Sequence, residues 1–239
     1  MERYGGTGFN DKGQLGQNDT KNSNVLKQVK IDENTYLTNI IKISVYEKSV
    51  MALTKDGYVY AWGQNESGKL GQGNTNNLLY ATLMKKAEND PITNIIEIAM
   101  GQNSTYMVDK DGTTYGAGLN SSYQIDSTGK SYNYVCELED RYKAIKLSAG
   151  ATNVVIMQSN GKTYMRGDNS HGESGNGTKT TITGLIEVGT DINDVDTEAY
   201  GTVIIKEDGT VWRNRLCQRL KIRIWRCHAS YNVHTDKTQ

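Results

Sequence analysis

Residues Val50 to Gly73 read VMALTKDGYVYAWGQNESGKLGQG. An apolar run, Val50-Met51-Ala52-Leu53, leads into the dipeptide Asp56-Gly57. The chain then passes through Tyr58-Val59-Tyr60-Ala61-Trp62 and enters a Gly/Asn loop at Gly63, with one apolar residue, Leu70, inside it. Short apolar runs on both sides of Asp-Gly predict a β-hairpin. Asn, Asp and Gly best tolerate the positive φ angles of a type I′ turn, so a two-residue turn of that type is expected at Asp56-Gly57.

The element recurs down the chain. Asp111-Gly112 precedes Tyr115, Asn160-Gly161 precedes Tyr164, and Asp208-Gly209 precedes Trp212, as Asp56-Gly57 precedes Tyr60. The glycines stand 55, 49 and 48 residues apart. Self-similarity at a period near fifty marks an array of supersecondary units such as propeller blades. Apolar runs precede each turn: Val50–Leu53, Tyr106–Val108, Val154–Met157 and Val203–Ile205. A second run lies further upstream at Ile40–Ile43, Ile95–Ile98 and Ala144–Leu147. A fourth strand is suggested by Leu26–Val29, Ala81–Met84 and Val135–Leu138. The aromatic column, Tyr60, Tyr115, Tyr164 and Trp212, is expected to be largely buried, each ring worth roughly 3–5 kcal/mol.

The loops align as well: GFNDKGQLGQND at 8–19, GQNESGKLGQGN at 63–74, GLNSSYQIDSTG at 118–129 and GDNSHGESGNGT at 167–178. Leu15, Leu70 and Ile125 read as apolar pins that hold each loop to the body. Asn and Asp hydrogen-bond nearby backbone and stabilise turns.

The combination in Val50–Gly73 (alternating strand, turn, Ala61-Trp62-Gly63 and the G-K-L-G-Q-G loop) resembles the regulator of chromosome condensation repeat. The resemblance runs over about residues 4–212. It implies an all-β propeller, normally of seven blades. The third and fourth copies are more degenerate: Arg166 replaces the tryptophan of the triplet, and Gly172-Glu173-Ser174-Gly175 lacks the leucine. In that family a eukaryotic member exchanges nucleotide on a GTPase and docks on nucleosomes through special loops, for which this sequence has no matching insertion. Scarce Pro and plentiful Lys, Asn and Ile look more like the bacterial relatives, many of them secreted or on the cell surface.

Charge divides the chain. Residues 213–239 hold seven basic residues against Asp236, a net +6, so the rest sums to −6. An acidic body argues against a nucleic-acid footprint there. The sequence contains no apolar run of transmembrane length. The first residues do not read as a signal peptide, and the compartment stays open. Cys136 alone lies in the body, which excludes a disulfide framework there.

Both ends break inside the same element. Tyr4 fits the aromatic column without a turn before it, and the pattern stops after Trp212, where RNRLCQRLKIRIWRC replaces the expected loop. Shifting the frame forward by one base from Trp212 permits codons that spell WGGTGYANDSKLGFGDAT. The first copy at 4–20 reads YGGTGFNDKGQLGQNDT. The reading divides the chain into repeats over 1–212 and a basic, non-native-looking tail over 213–239, a frameshift product expected to be disordered or improvised.

Chemistry-bearing motifs are scarce. No phosphate loop, dinucleotide fingerprint, Cys/His metal spacing or nucleophile elbow is present. His171 near Glu173 reads as a solvated loop residue. No catalytic, cofactor or metal residue is assigned. The structural positions are Asp56, Gly57, Tyr60, Trp62, Gly63, Leu70, Asp111, Gly112, Tyr115, Asn160, Gly161, Tyr164, Asp208, Gly209 and Trp212. The expected molecule is an incomplete all-β propeller of about four blades, an open arc cut from a longer array. It acts as a non-enzymatic scaffold for a protein partner, with no nucleic acid and no membrane, and self-associates through its open edges. The alternative is a nucleotide-exchange or chromatin factor.

Overall fold

The computed structural model describes residues 5–138, 143–215 and 234–235. Among them every regular element is a β-strand. A two-stranded sheet comes first, β1 (Gly5–Gly8) with β2 (Ser23–Gln28). Four antiparallel four-stranded blades follow. The first is β3 (Ile40–Tyr46), β4 (Ser49–Thr54), β5 (Val59–Gly63) and β6 (Leu78–Leu83). A small hairpin, β7 (Lys85–Ala87) and β8 (Asp90–Pro91), leads to the second. That blade is β9 (Ile95–Met100), β10 (Ser104–Asp109), β11 (Thr114–Gly118) and β12 (Tyr132–Glu137). The third is β13 (Ala144–Ala149), β14 (Asn153–Gln158), β15 (Thr163–Gly167) and β16 (Ile182–Gly189). The fourth is β17 (Ile192–Glu198), β18 (Gly201–Lys206), β19 (Val211–Arg215) and β20 (His234–Thr235).

The second strand of the first three blades is apolar on both faces because it lies between neighbouring sheets. Met51 and Leu53 of β4 pack with Ile95, Ile98, Met100 and Met107 of the next blade. Tyr106 and Val108 meet Ala144, Leu147, Val154 and Ile156 in the same way. Val155 and Met157 meet Ile192, Val195 and Ile204. The inner strands β3, β9, β13 and β17 converge on a central channel of about 530 Å³.

Among the described residues the propeller arc is open at both ends. Ile98, Leu147 and Val195 are 2%, 4% and 2% exposed, whereas Ile43 in the same column of the first blade is 59% exposed. At the far end Val203 and Ile205 are 39% and 36% exposed, whereas their counterparts Val155 and Met157 are 0% and 6%. Each is a core position that no neighbouring blade layer covers among the described residues.

Two sequence expectations are corrected. The hairpin turns are not type I′. Gly57, Gly112, Gly161 and Gly209 have φ between +75° and +83°, but Asp56, Asp111, Asn160 and Asp208 are not in the positive-φ region. Gly57 N–H donates to the Thr54 carbonyl at 3.0 Å and Thr54 N–H to the Tyr58 carbonyl at 2.9 Å, a pattern repeated in the other three turns. This is a three-residue loop: a type I turn closed by a left-handed glycine bulge. In two of the turns the Asn or Asp acts through its side chain instead, and in the others Thr54 Oγ1 accepts the Tyr58 N–H at 3.0 Å and Asp109 Oδ1 the Thr113 N–H at 2.9 Å. Asn160 Oδ1 accepts the Lys162 N–H at 3.0 Å, and Asp208 Oδ1 the Thr210 N–H at 2.9 Å.

The aromatic column is less buried than expected. Tyr60, Tyr115, Tyr164 and Trp212 sit at equivalent registers, opposite Ala52, Met107, Ile156 and Ile204. Only Tyr164 is buried, at 8% exposure; the other three rings are half-buried. Their polar tips explain this, since a phenol or indole N–H keeps a partner near water. Tyr115 O–H bonds Asp109 Oδ2 at 3.0 Å, and Trp212 Nε1–H bonds Thr210 Oγ1 at 2.8 Å.

Two strands carried no readable pattern: β16, interrupted by Gly184, and β17, in which Asp194 and Asp196 stand in an inner strand. β19 continues past Trp212 to Arg215, and β20 pairs with Trp212 and Arg213. The out-of-frame reading of 213–239 falls mostly outside the described residues, as does Tyr4.

Candidate interaction surface

The loops joining the third and fourth strands form one face of the arc. Each is built around a buried asparagine, Asn10, Asn65, Asn120 or Asn169, all 0% exposed. The side-chain carbonyl accepts the backbone N–H five residues on: Leu15 at 2.8 Å, Leu70 at 2.8 Å, Ile125 at 2.7 Å and Ser174 at 2.9 Å. The amide donates across the loop, Asn10 to the Asp19 and Lys21 carbonyls, Asn65 to Asn74, Asn120 to Asp126, and Asn169 to Thr178 and Thr180. A buried amide that meets both its acceptor and donor needs fixes a loop that has no regular ladder of its own. Leu15, Leu70 and Ile125 are buried beside it, the apolar pins of the first three loops, and Ser174 stands at that place in the fourth.

These loops also tie blades together. Trp62 is buried and its indole N–H donates to the Gln14 carbonyl at 2.9 Å. Arg166 takes the place of that tryptophan two blades on. It is 2% exposed, and its Nε–H donates to the Tyr123 carbonyl at 2.9 Å, again in the preceding blade's loop. The substitution therefore keeps the inter-blade link with a different donor. Between them Thr105 Oγ1 donates to the Lys69 carbonyl at 2.7 Å.

The residue before each pin, or before Ser174 in the fourth loop, is Gln14, Lys69, Gln124 or Glu173. Gln14 and Gln124 each accept the N–H two residues back at 2.9 Å. Glu173 Oε2 does the same for His171 N–H at 3.0 Å, and burial lifts its carboxyl above the usual range. Lys69 is 3% exposed; burial brings its ammonium down to about 8, and it donates to the Gln102 carbonyl.

Asp168, His171 and Glu173 bring potential ligand atoms within 4.8 Å of one another. Their hydrogen bonds are local: Asp168 Oδ1 accepts Ser170 N–H at 3.0 Å, and His171 Nδ1 lies 3.1 Å from Ser170 Oγ and 3.2 Å from Glu173 Oε1. The His171 ring meets Tyr200 edge-on at 4.8 Å, joining this loop to the β17–β18 turn. The arrangement is a hydrogen-bonded loop tip. Cys136 is half-buried, and burial pushes its thiol up to about 12, so it stays protonated and weakly nucleophilic at neutral pH.

A second polar array rings the channel. One column of the inner strands holds Lys42, Glu97, Lys146 and Asp194. Lys42 pairs with Glu97, and Lys146 with Asp194, each pair bridging two adjacent blades. The Lys146 bond holds the Asp194 carboxyl below its usual range. Two residues further on, Ser44 Oγ accepts Met100 N–H at 3.0 Å, and Ser148 Oγ accepts Thr197 N–H at 2.8 Å. Neither this ring nor the asparagine quartet was singled out from sequence, although each stands at a constant offset in the aligned copies.

Comparison with known proteins agrees with this geometry. Residues 56–108 and 40–69 match the Regulator of chromosome condensation (RCC1) repeat. The Danio rerio "Protein RCC2 homolog" is 34% identical over 111 residues, 46% of this chain and 21% of that protein. The chain thus spans about a fifth of that relative's length. The crystal structure of human WBSCR16 superposes with a TM-score of 0.78 at 17% identity, covering 95% of this chain and 61% of that one. Yeast RCC1 (Prp20), solved bound to Kap60, gives 0.68 at 16% identity, covering 88% and 51%.

Proposed function

We propose that this chain, which belongs to the regulator of chromosome condensation repeat family, is a non-enzymatic scaffold that binds a protein partner through its asparagine-pinned loops. The observation that carries this reading is a constant frame with varying tips. The same buried asparagine holds every loop, while the tips differ: Asp11-Lys12, Glu66-Ser67, Ser121-Ser122 and Ser170-His171. Loops varied on a rigid support are the usual place for recognition. The loop chemistry supports binding over catalysis, since the four buried asparagines are engaged in holding backbone. The yeast relative solved with Kap60 supports a protein as the partner class.

The test is affinity capture with the full chain and with a variant carrying Asp11→Ala, Glu66→Ala, Ser121→Ala and His171→Ala. A specific partner should be recovered by the first and lost by the second. Equal recovery overturns the loop-face reading. Accelerated nucleotide release from a small GTPase by the purified chain overturns the non-enzymatic reading in favour of exchange.

A further inference from the structure

The fourth loop departs from the other three in its chemistry. Its frame is the same, with Asn169 buried at the centre, but Asp168, His171 and Glu173 stand around it. At the Asp168 place the other loops carry Phe9, Gln64 and Leu119, at the Glu173 place Gln14, Lys69 and Gln124, and none of them holds a histidine. The three side chains offer donor atoms within 4.8 Å of one another, and His171 Nδ1 already stands 3.2 Å from Glu173 Oε1. Donors held about 2.0–2.2 Å from one zinc ion stand about 3.3–3.6 Å apart. Asp168 is half-buried, and a side-chain rotation closes the remaining gap.

The charge at this place is an independent observation. The Glu173 side chain is 0% exposed, and among the described residues no lysine or arginine pairs with it or with Asp168. Burial lifts its carboxyl, and the nearby Asp168 charge adds to the lift. Buried charges are otherwise paired or coordinate metal ions. The fold does not require the acid, because Gln14 and Gln124 accept the equivalent backbone N–H with a neutral amide. In the second loop the same buried place holds Lys69, a cation. Only the fourth loop puts an anion there, with a second carboxylate and an imidazole beside it.

We propose that Asp168, His171 and Glu173 form a site for a divalent transition-metal ion of the zinc class. One imidazole nitrogen with two carboxylates suits zinc, whereas calcium and magnesium take oxygen donors. His171 binds as the neutral imidazole through Nδ1, and the ion replaces the contacts of that nitrogen with Ser170 and Glu173. Three protein donors leave a coordination position for water. Tyr200 holds the His171 ring from the neighbouring blade, so the ion also stiffens that junction. The inference stands apart from the loop-face reading, since its readout is ion binding and not partner capture.

The test is calorimetric titration of the untagged full chain, freed of metal by a chelator, with zinc chloride. Zinc should bind saturably, and His171→Ala and Glu173→Gln should each weaken that binding at least tenfold. Melts of the metal-free variants control for folding, and Gln at the Glu173 place is already used by two other loops. Zinc should raise the melting temperature of the parent and leave that of Glu173→Gln unmoved. Cobalt(II) in place of zinc should give visible bands without a thiolate charge-transfer band. Absence of saturable zinc binding overturns the proposal, as does magnesium or calcium binding of equal strength. Zinc binding that both variants leave unchanged, or a thiolate band with cobalt, also overturns it and assigns the ion to other donors such as Cys217 and Cys227.

Discussion

Glu173 occupies a place that the repeat fills with glutamine in two other loops, Gln14 and Gln124. Its carboxylate does the same backbone-accepting work, but burial makes the charged form costly. The sign follows from linkage. An acid whose folded pKa is raised lends most stability below its unfolded value near 4.5, and loses it as pH rises through the folded value. Glu173→Gln should therefore raise neutral-pH stability by about 1 kcal/mol, the usual size of a consensus-type change. It should also flatten the decline in stability above pH 4.5 relative to the parent, read by denaturant melts across pH. A variant less stable than the parent at pH 7 would show that the His171 contact outweighs desolvation. Asn65 has the opposite character, since both its amide oxygen and its amide nitrogen bond backbone. Asn65→Ala leaves buried backbone groups unpaired and should cost on the order of 3 kcal/mol, at 1–3 kcal/mol for each group; an unchanged melting temperature would refute its pinning role. The asparagine column was visible in the loops, but they are rich in Asn throughout. Sequence shows an Asn but not its burial, and burial is what separates Asn65 from Asn74.

The strands were legible where an element combines alternation with a turn at fixed distance, as in Ile40–Tyr46 and Ser49–Thr54. β17 was not, because its inner face spends two places on Asp194 and Asp196, which continue the polar ring of the channel. That ring joins elements from different blades, so no local periodicity reports it. Its physics is testable. Lys42 and Glu97 are 39% and 13% exposed, and their attraction is partly screened by water, leaving roughly 0.5–1 kcal/mol. Lys42→Glu places two carboxylates at one blade junction and should destabilise by about that amount or more. Adding Glu97→Lys restores the opposite pairing and should recover most of the loss in a double-mutant cycle. No coupling between the two sites would mean the junction is held by packing alone. The turns teach a related lesson. Asp-Gly correctly marked the hairpins, yet two turn types share that dipeptide, and the φ angles together with the Gly57–Thr54 and Thr54–Tyr58 hydrogen bonds distinguish the bulged one.

At the scale of the whole molecule, the repeat makes each blade a template for the exposure expected of its neighbours. The columns of Val203, Ile205 and Val211 are buried in the earlier blades, at Met51, Leu53 and Val59 for example, each 0% exposed. In the last blade these residues are 39%, 36% and 42% exposed on one face. An apolar sheet face in solvent drives association, because covering it removes water from hydrocarbon at about 25 cal/mol per Å². The chain should therefore self-associate with rising concentration. Val203→Lys combined with Ile205→Lys should shift light scattering toward monomer, and the melt should move by no more than about 0.5 kcal/mol for each exposed site. Val155→Lys, in the same column but 0% exposed, should unfold the domain, since it buries an unpaired ammonium between blades. If the double variant melts as poorly as Val155→Lys, the last face is covered in solution and the arc is not open there.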